Sequence, residues 1–141
     1  MFVDLNGFKA INDHYGHAAG DRVLVTTATR LKRILRGTDT VARIGGDEFV
    51  VILQDLPQGN SLQDEARSIC QNIFAELSPP ITIGTDQRHI GTSLGVAVFP
   101  DHASSIDRLL HIADLAMYEA KRSGNNQYRL GTESVVRAYS Q

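Results

Sequence analysis

The stretch of this sequence most suited to chemistry is a pair of glycines followed by a pair of carboxylates, Gly45-Gly46-Asp47-Glu48. Apolar runs at residues 40–42 and 49–53 flank it, so these residues are predicted to form the tip of a β-hairpin. Glycine has no Cβ, so its backbone can approach a phosphate closely, and adjacent carboxylates can hold Mg²⁺ against that phosphate. Considered alone, the pattern is equally compatible with a solvated acidic turn.

Another carboxylate, Asp4, follows the apolar residues Met1-Phe2-Val3 at the start of the sequence. These three residues are typical of the last part of a buried strand, and ligands of α/β proteins bind at the carboxyl ends of such strands. A helix N-cap or turn residue is the other interpretation of Asp4. Position alone leaves both roles open.

The composition is that of a globular domain. The 141 residues suffice for one compact domain with a core, and 42% are apolar against 21% charged. A net charge of −2 provides no broad basic surface, so duplex nucleic acid is not an expected partner. The single Cys70 excludes an internal disulfide and falls in an apolar helical stripe, where we expect a buried thiol.

We expect this domain in the cytoplasm. The sequence contains neither an apolar run of membrane-span length nor a signal peptide, and its cysteine usage fits a reducing compartment. A longer parent protein could still carry sensor, regulatory or membrane-anchored domains.

Hydrophobic periodicity and turn residues divide the chain into helices and strands. Helices are predicted at residues 8–15, from Asp21 to about Arg36, at 62–77 and at 106–122. Strands are predicted at 1–3, 40–42, 49–53, 81–83, 89–99 and 128–130, with a loop at 55–60. The order β-α-α-β-β-α-β-β-α-β predicts an α/β (α+β) fold with a mixed, mainly antiparallel sheet covered by helices.

Several segments, in order and spacing, resemble the motifs of the GGDEF family, the diguanylate cyclases. They are residues 2–13, 15–21, 45–49, 93–97 and 113–121. Members of this family condense two GTP molecules into cyclic di-GMP and pyrophosphate. The resemblance covers nearly the whole chain and implies this activity, together with a ferredoxin-like palm similar to that of class III nucleotidyl cyclases and many polymerases.

The resemblance implies a divalent-metal site. By their places in the family motifs, Asp4 and Asp47 bind Mg²⁺ or Mn²⁺, with the Leu5 carbonyl as a backbone ligand. Hard oxygen ligands suit these ions, and a cation would offset the repulsion between two close carboxylates. Asp47 is also the family's candidate for helping to deprotonate the attacking 3′-hydroxyl, and Glu48 beside it is the second predicted catalytic residue.

The resemblance also implies which groups bind the phosphates of GTP. Backbone N–H groups of successive residues can cradle phosphate oxygens, and lysines can neutralise them. The backbone groups are those of Asn6, Gly7, Phe8, Gly45 and Gly46, and the lysines are Lys9 and Lys121. Without the resemblance, both lysines would be assigned as solvated surface charges.

Guanine recognition is implied for Asn12 and Asp21, which fall at the family's base-binding positions. An amide can address the acceptors of the base, while a carboxylate accepts from its N1–H and N2–H groups. Considered alone, Asp21 would be assigned as the N-cap of the helix that it opens.

Arg36 and Asp39 stand at the offset of the family's inhibitory product site, where such a pair binds cyclic di-GMP. A guanidinium suits a forked contact with phosphate or with guanine. The alternative is a helix-end arginine next to a turn aspartate.

The chain departs from the family pattern in three places. Asn6 stands where many members have Asp, and Asn125 stands where many have Arg, so the ligand set and GTP affinity are expected to be weaker. The segment that usually precedes the first strand is absent. We therefore expect a GGDEF domain at residues 1–130 that is truncated at its N-terminus, with a tail or linker at 131–141.

Three functions remain open from the sequence. The leading hypothesis is a diguanylate cyclase that acts as a homodimer of GTP-loaded domains, with product inhibition by cyclic di-GMP. The second is a weak or inactive module that binds GTP or cyclic di-GMP, which the intact Gly45–Phe49 motif disfavours because degenerate receptors typically lose it. The third is another nucleotidyl transferase on the same palm, such as a cyclic mononucleotide cyclase.

Overall fold

The structure of this protein is a computed structural model that describes residues 1–56, 61–131 and 137. The helices of this part are α1 (Phe8–Tyr15), α2 (His17–Ile34), α3 (Leu62–Leu77) and α4 (Ile106–Arg122). Its strands are β1 (Phe2–Asn6), β2 (Thr40–Gly45), β3 (Glu48–Ile52), β4 (Ile81–Ile83), β5 (Asp86–Arg88), β6 (Gly91–Val96) and β7 (Gln127–Leu130). Residues 57–60 of the predicted loop and most of the predicted tail lie outside the described residues. None of the described helices is long and apolar enough to cross a membrane.

The main sheet has β1 at its centre. The strand order is β2-β3-β1-β6-β7, and β4 pairs with β5 in a separate ribbon. β1 pairs antiparallel with β3 and with β6, β2 pairs antiparallel with β3, and β6 and β7 run parallel. The predicted mixed, mainly antiparallel sheet is therefore confirmed, with the predicted strand near the C-terminus at its edge.

The two faces of the sheet are covered by different helices. Val3 and Leu5 of β1 lie in a core cluster with side chains of α1, α2 and α3. Phe2 lies in a second cluster with Ala113 and Met117 of α4. Because successive side chains of a strand point to opposite faces, Asp4 shares the α4 face with Phe2.

α4 packs directly on the backbone of β6 at Gly95. A Cβ on Gly95 would lie 2.0 Å from the Ala113 carbonyl oxygen and 2.3 Å from the Met117 nitrogen. These are backbone atoms of a helix and cannot move aside singly. The glycine thus sets how closely α4 approaches the sheet whose central strand carries Asp4.

The thiol of Cys70 is fully buried in α3, as predicted. Burial raises the pKa of the Cys70 thiol to about 12. Because the thiolate is the reactive form, Cys70 is a structural residue.

Two predicted boundaries near the N-terminus are wrong. β1 extends to Asn6 and does not stop at Val3, because hydrogen-bonded neighbours flank it on both sides. α2 begins at His17, directly after the positive φ of +91° at Gly16, and ends at Ile34. Asp21 therefore lies inside α2 and does not cap it.

The predicted second hairpin is also different. The return strand expected at residues 89–99 is the shorter β6, and it joins the main sheet instead of pairing with β4. The partner of β4 is β5, which lies just before the predicted strand. β5 is exposed along its length and pairs with β4, while β6 is buried over most of its length between β1 and β7. The apolar residues of the predicted strand thus form β6, and the polar residues 86–88 before it pair with β4.

Candidate active site

Asp4 is a buried carboxylate in the middle of the central strand. The residue is 2% exposed and lies on the α4 side of the sheet. Lys121, in the last turn of α4, donates a hydrogen bond from Nζ to Asp4 Oδ2 at 2.9 Å. The Lys121 side chain is 52% exposed, so this ion pair is open to solvent at its cationic end. The predicted metal ligand and the predicted phosphate ligand thus contact each other directly.

The β2–β3 hairpin places Asp47 and Glu48 beside Asp4. In the sheet register, Glu48 is the Cα partner of Asp4, and the Leu5 N–H donates to the Asp47 carbonyl at 3.2 Å. Gly46 has a φ of +45°, a conformation that favours glycine, and it turns the chain between the two strands. The predicted glycine turn therefore forms, and its two carboxylates lie next to the aspartate of β1.

The electrostatics of this cluster favour an additional cation. Burial raises the pKa of Asp4, the hydrogen bond from Lys121 opposes that rise, and the Asp47 carboxylate adds to it. Burial also raises the pKa of Glu48, with further contributions from the carboxylates of Asp4, Asp114 and Asp47. The hydrogen bond to Asp4 raises the pKa of Lys121. One ammonium group thus interacts with three carboxyl groups, those of Asp4, Asp47 and Glu48, and a second cation would stabilise their charged forms.

The donor atoms at this position fit Mg²⁺ or Mn²⁺. Asp4 and Asp47 offer carboxylate oxygens and Leu5 offers a carbonyl oxygen, which are the hard ligands that these ions prefer. Within the described residues, no three His, Cys, Asp or Glu side chains are grouped as a preformed metal site. Two carboxylates and one carbonyl would leave coordination positions for water and phosphate oxygens, which Mg²⁺ commonly retains.

The predicted phosphate cradle is the turn from β1 into α1. Gly7 has a φ of +81° and precedes α1 without a side-chain cap, so the first N–H groups of α1 have no partner within the helix. Lys9 is exposed beside them, and the Phe8 side chain is buried below. Ser93 Oγ donates to Asn6 Oδ1 at 3.1 Å and holds the start of this turn. The backbone N–H groups of this turn can therefore donate hydrogen bonds to an anion.

The two predicted guanine-binding residues lie on neighbouring helices. Asn12 is half-buried on α1, and Asp21 is exposed on α2. The Asn12 side chain lies against Gly20, where a Cβ would be only 1.8 Å from Asn12 Oδ1. This contact places the Asn12 amide one residue away from Asp21 along α2.

Arg36 and Asp39 form a separate cluster at the other end of the hairpin. The Arg36 backbone N–H and Nε donate to Asp39 Oδ2 at 2.9 and 3.3 Å, and the guanidinium also donates to the Gln54 carbonyl. Burial would raise the pKa of Asp39, but hydrogen bonds from Arg36 and Gln54 hold it below its usual value. β2 has six residues, so the cluster lies about 20 Å from the hairpin tip.

Sequence reasoning assigned no role to Asp114, whose charge contributes to the raised pKa of Glu48. Asp114 precedes Lys121 by seven residues, a spacing that puts both on one face of α4. That spacing was the available signal, but the sequence did not reveal which strand the face would meet.

Comparison with known proteins places this geometry in a family. Residues 1–127 match the family described as "Diguanylate cyclase, GGDEF domain". The diguanylate cyclase TpbB of Pseudomonas aeruginosa is 47% identical over 132 residues, which cover 92% of this chain and 29% of TpbB. The structure of the TpbB GGDEF domain from the same bacterium has a TM-score of 0.90 and 41% identity, and the match covers 99% of this chain and 80% of that one.

A further structure contains a nucleotide. The GGDEF domain of DgcB from Caulobacter crescentus in complex with c-di-GMP is 28% identical, with a TM-score of 0.75 over 92% of this chain and 75% of that one. The chain spans only 29% of the length of TpbB, so it corresponds to one part of that longer relative.

Proposed function

This chain belongs to the GGDEF family, and from that premise we propose that it is the catalytic domain of a diguanylate cyclase. Two GTP molecules react, and each 3′-oxygen attacks the α-phosphorus of the other nucleotide. Two P–O bonds form, two pyrophosphates leave, and cyclic di-GMP is the product. The observation that carries the proposal is the buried Asp4 with Asp47, Glu48 and Lys121 around it.

Asp4 and Asp47, with the Leu5 carbonyl, are the proposed ligands of Mg²⁺ or Mn²⁺. When bound, this ion supplies neutralisation of the triphosphate charge and polarisation of the α-phosphorus. Asp47 lies at the hairpin tip, where it can accept the proton of the 3′-hydroxyl, and Glu48 adds a second carboxylate at the same edge. Burial and the neighbouring carboxylates raise the pKa of Glu48, so it holds a proton more readily than an exposed glutamate does.

Lys121 has two successive partners in this proposal. In this structure its ammonium group donates to Asp4 at 2.9 Å. Because its side chain is half exposed, it can turn to a phosphate oxygen once another cation neutralises Asp4. The N–H groups of Asn6, Gly7 and Phe8, together with the exposed Lys9, would hold the terminal phosphates.

The reaction requires two copies of the domain. Each site as proposed binds one GTP, so two protomers must face each other to bring a 3′-hydroxyl to the partner nucleotide. We therefore propose a catalytic homodimer, with a rate that rises faster than linearly with protein concentration where dimers are scarce. We also propose that the domain works in the cytoplasm, where GTP is available.

The Arg36–Asp39 cluster is the proposed site of feedback by cyclic di-GMP. It lies about 20 Å from the hairpin tip, so a nucleotide there need not compete for the GTP site. A module that only binds GTP or cyclic di-GMP is the second candidate function, since the Arg36–Asp39 pair lies apart from the proposed catalytic residues and could bind a nucleotide without catalysis.

Nucleotide analysis tests the proposal. The 141-residue chain is incubated with GTP and Mg²⁺ over a series of protein concentrations, and products are identified by chromatography and mass spectrometry. Asp47→Asn removes a carboxylate that is proposed to bind the metal ion and to accept the proton of the 3′-hydroxyl. Asp107→Asn, in the exposed first turn of α4, is the matched control.

Cyclic di-GMP from the parent and from the Asp107→Asn control, but not from Asp47→Asn, is the expected result. If the folded parent forms no cyclic di-GMP at any protein concentration but binds cyclic di-GMP through Arg36, the result would refute the cyclase and support the binding module. If the product is a different cyclic nucleotide, the result would support another nucleotidyl transferase.

A further inference from the structure

Gly20 occupies a helix interior where glycine has no backbone role. It is the fourth residue of α2 and is buried, and its φ is not in the left-handed region. Glycine is a poor helix former compared with alanine at such a position. The backbone conformation does not require glycine at position 20. The reason for glycine must therefore be the space available to its side chain.

That reason is the side chain of Asn12. A Cβ on Gly20 would lie 1.8 Å from Asn12 Oδ1 and 2.9 Å from Asn12 Cγ, with the Phe8 ring next at 3.3 Å. The first two distances are far below van der Waals contact. The amide of Asn12 thus occupies the volume that any larger residue at position 20 would need.

We propose that Gly20 is a positioning residue for base selectivity, because it lets the Asn12 amide lie on the α2 backbone beside Asp21. The inference rests on the proposed function and on the guanine-binding role that the family resemblance implies for Asn12 and Asp21. Asn12 comes from α1 and Asp21 from α2, so their relative position depends on how closely the two helices meet. Gly20 is the point at which the Asn12 side chain contacts α2.

The backbone around this contact is already fixed. The Gly16 N–H donates to the Asn12 carbonyl at 2.8 Å, and the Gly20 N–H donates to the Gly16 carbonyl at 3.2 Å. These bonds join the end of α1 to the start of α2. With the backbone held, the orientation of the Asn12 amide depends on the space that Gly20 leaves.

Gly20→Ala should separate stability from selectivity. The atoms that a Cβ meets first are the far end of the flexible Asn12 side chain, which can rotate away, so the fold should be retained. Rotation would remove the amide from the base. We expect a loss of about tenfold in affinity for a guanine nucleotide, since one hydrogen bond is lost. Affinity for an adenine nucleotide, which does not use that hydrogen bond, should change little.

The probes are 3′-deoxy-GTP and 3′-deoxy-ATP with Mg²⁺, which lack the attacking hydroxyl and so measure binding without turnover. Titration calorimetry compares the parent, Gly20→Ala, Asn12→Ala and the double variant. Thr29→Ala is the matched control, because Thr29 is exposed two turns further along α2 and is also replaced by alanine. Melting temperatures are measured for all five proteins.

Non-additivity is the expected signature. Gly20→Ala and Asn12→Ala should each reduce the preference for guanine to a similar extent, and the double variant should be no worse than Asn12→Ala. Parental selectivity in a folded Gly20→Ala variant would overturn the inference. So would losses that multiply in the double variant, since Gly20 would then act independently of Asn12.

The melting temperatures keep this inference distinct from the proposed function. Alanine at position 20 should raise the melting temperature more when Asn12 is also alanine, because the steric conflict is then absent. An equal change in both backgrounds would refute the contact itself. A parent that binds neither nucleotide would instead refute the proposed function and the selectivity role with it, even if the contact is present.

Discussion

Replacing Lys121 with methionine tests the electrostatic account of the site without any measurement of activity. The substitution keeps a long apolar side chain at the end of α4 and removes the ammonium group 2.9 Å from the buried Asp4 carboxylate. Asp4 would then have no cationic partner among the described residues, and Asp47 and Glu48 would still lie beside it. Lys32→Met, on the exposed face of α2, is the matched control.

The expected loss of stability lies between two limits. Breaking a buried ion pair typically costs about 3–5 kcal/mol, whereas an exposed pair contributes about 0.2–1 kcal/mol. Asp4 is buried, but the Lys121 side chain is 52% exposed, so water screens part of the interaction. We therefore expect the free energy of unfolding to fall by about 2 kcal/mol at neutral pH, measured by urea denaturation.

The pH dependence of this loss follows from the direction of the Asp4 shift. Burial raises the pKa of folded Asp4 above its unfolded value, so its charged form destabilises the folded state, and stability is regained as pH falls through the raised pKa. Removing Lys121 raises the pKa of Asp4 further. The difference between variant and parent should therefore be largest at neutral pH and smaller at an acidic pH, where Asp4 becomes protonated.

Magnesium supplies the second half of this test. If the cluster binds Mg²⁺, the ion should stabilise the Lys121→Met variant more than the parent, because no ammonium group competes for Asp4. Occupancy at a hundred times the dissociation constant would add about 2.7 kcal/mol. A loss that is equal at both pH values, together with no greater response to Mg²⁺ in the variant, would show that Lys121 contributes packing alone and would refute the reasoning.

Further predictions concern the scaffold and the second cluster. Gly95→Ala should destabilise the fold by about 3 kcal/mol in urea denaturation because its Cβ would meet the backbone of α4, while Gly37→Ala, with no atom within 4 Å, should have little effect. Tyr15→Phe removes two hydrogen bonds with side chains of β5 and should cost about 1 kcal/mol, and an unchanged melting temperature would argue against that link. Arg36→Ala should abolish binding of cyclic di-GMP in calorimetry without changing the initial rate with GTP, and retained feedback would contradict a role for the Arg36–Asp39 pair.

The order of elements could be predicted because it depends on local signals. Periodicity, the Gly45-Gly46 pair and the apolar runs predicted the helices, the first hairpin and the mixed sheet. The second hairpin was predicted wrongly because the predicted return strand is β6, which pairs with β1, whereas β4 pairs with residues 86–88 just before it. The sequence of residues 86–96 does not indicate which residues pair with β4 and which pair with β1. That depends on which edge of β1 is available for strand pairing.

The candidate site could be predicted as a set of residues but not as an arrangement. Motif positions indicated Asp4, Asp47 and Lys121, yet the ion pair between Asp4 and Lys121 depends on the sheet register and on how closely α4 approaches β6. Both are long-range properties of the fold. For the same reason the contribution of Asp114 to the raised pKa of Glu48 depends on how α4 packs on the sheet.

The position of Asp4 suggests why this chain tolerates a charge in its central strand. A carboxylate that is 2% exposed is costly in a strand whose neighbours Val3 and Leu5 are core residues, and packing does not require it. A site that must bind a cation needs such a carboxylate, because partial burial strengthens its interaction with the ion. Lys121 provides a removable counter-charge, since its half-exposed side chain can leave without disturbing the core. The destabilising carboxylate of β1 thus lies where the proposed chemistry occurs. This is expected at a site where a residue needed for function lowers the stability of the fold.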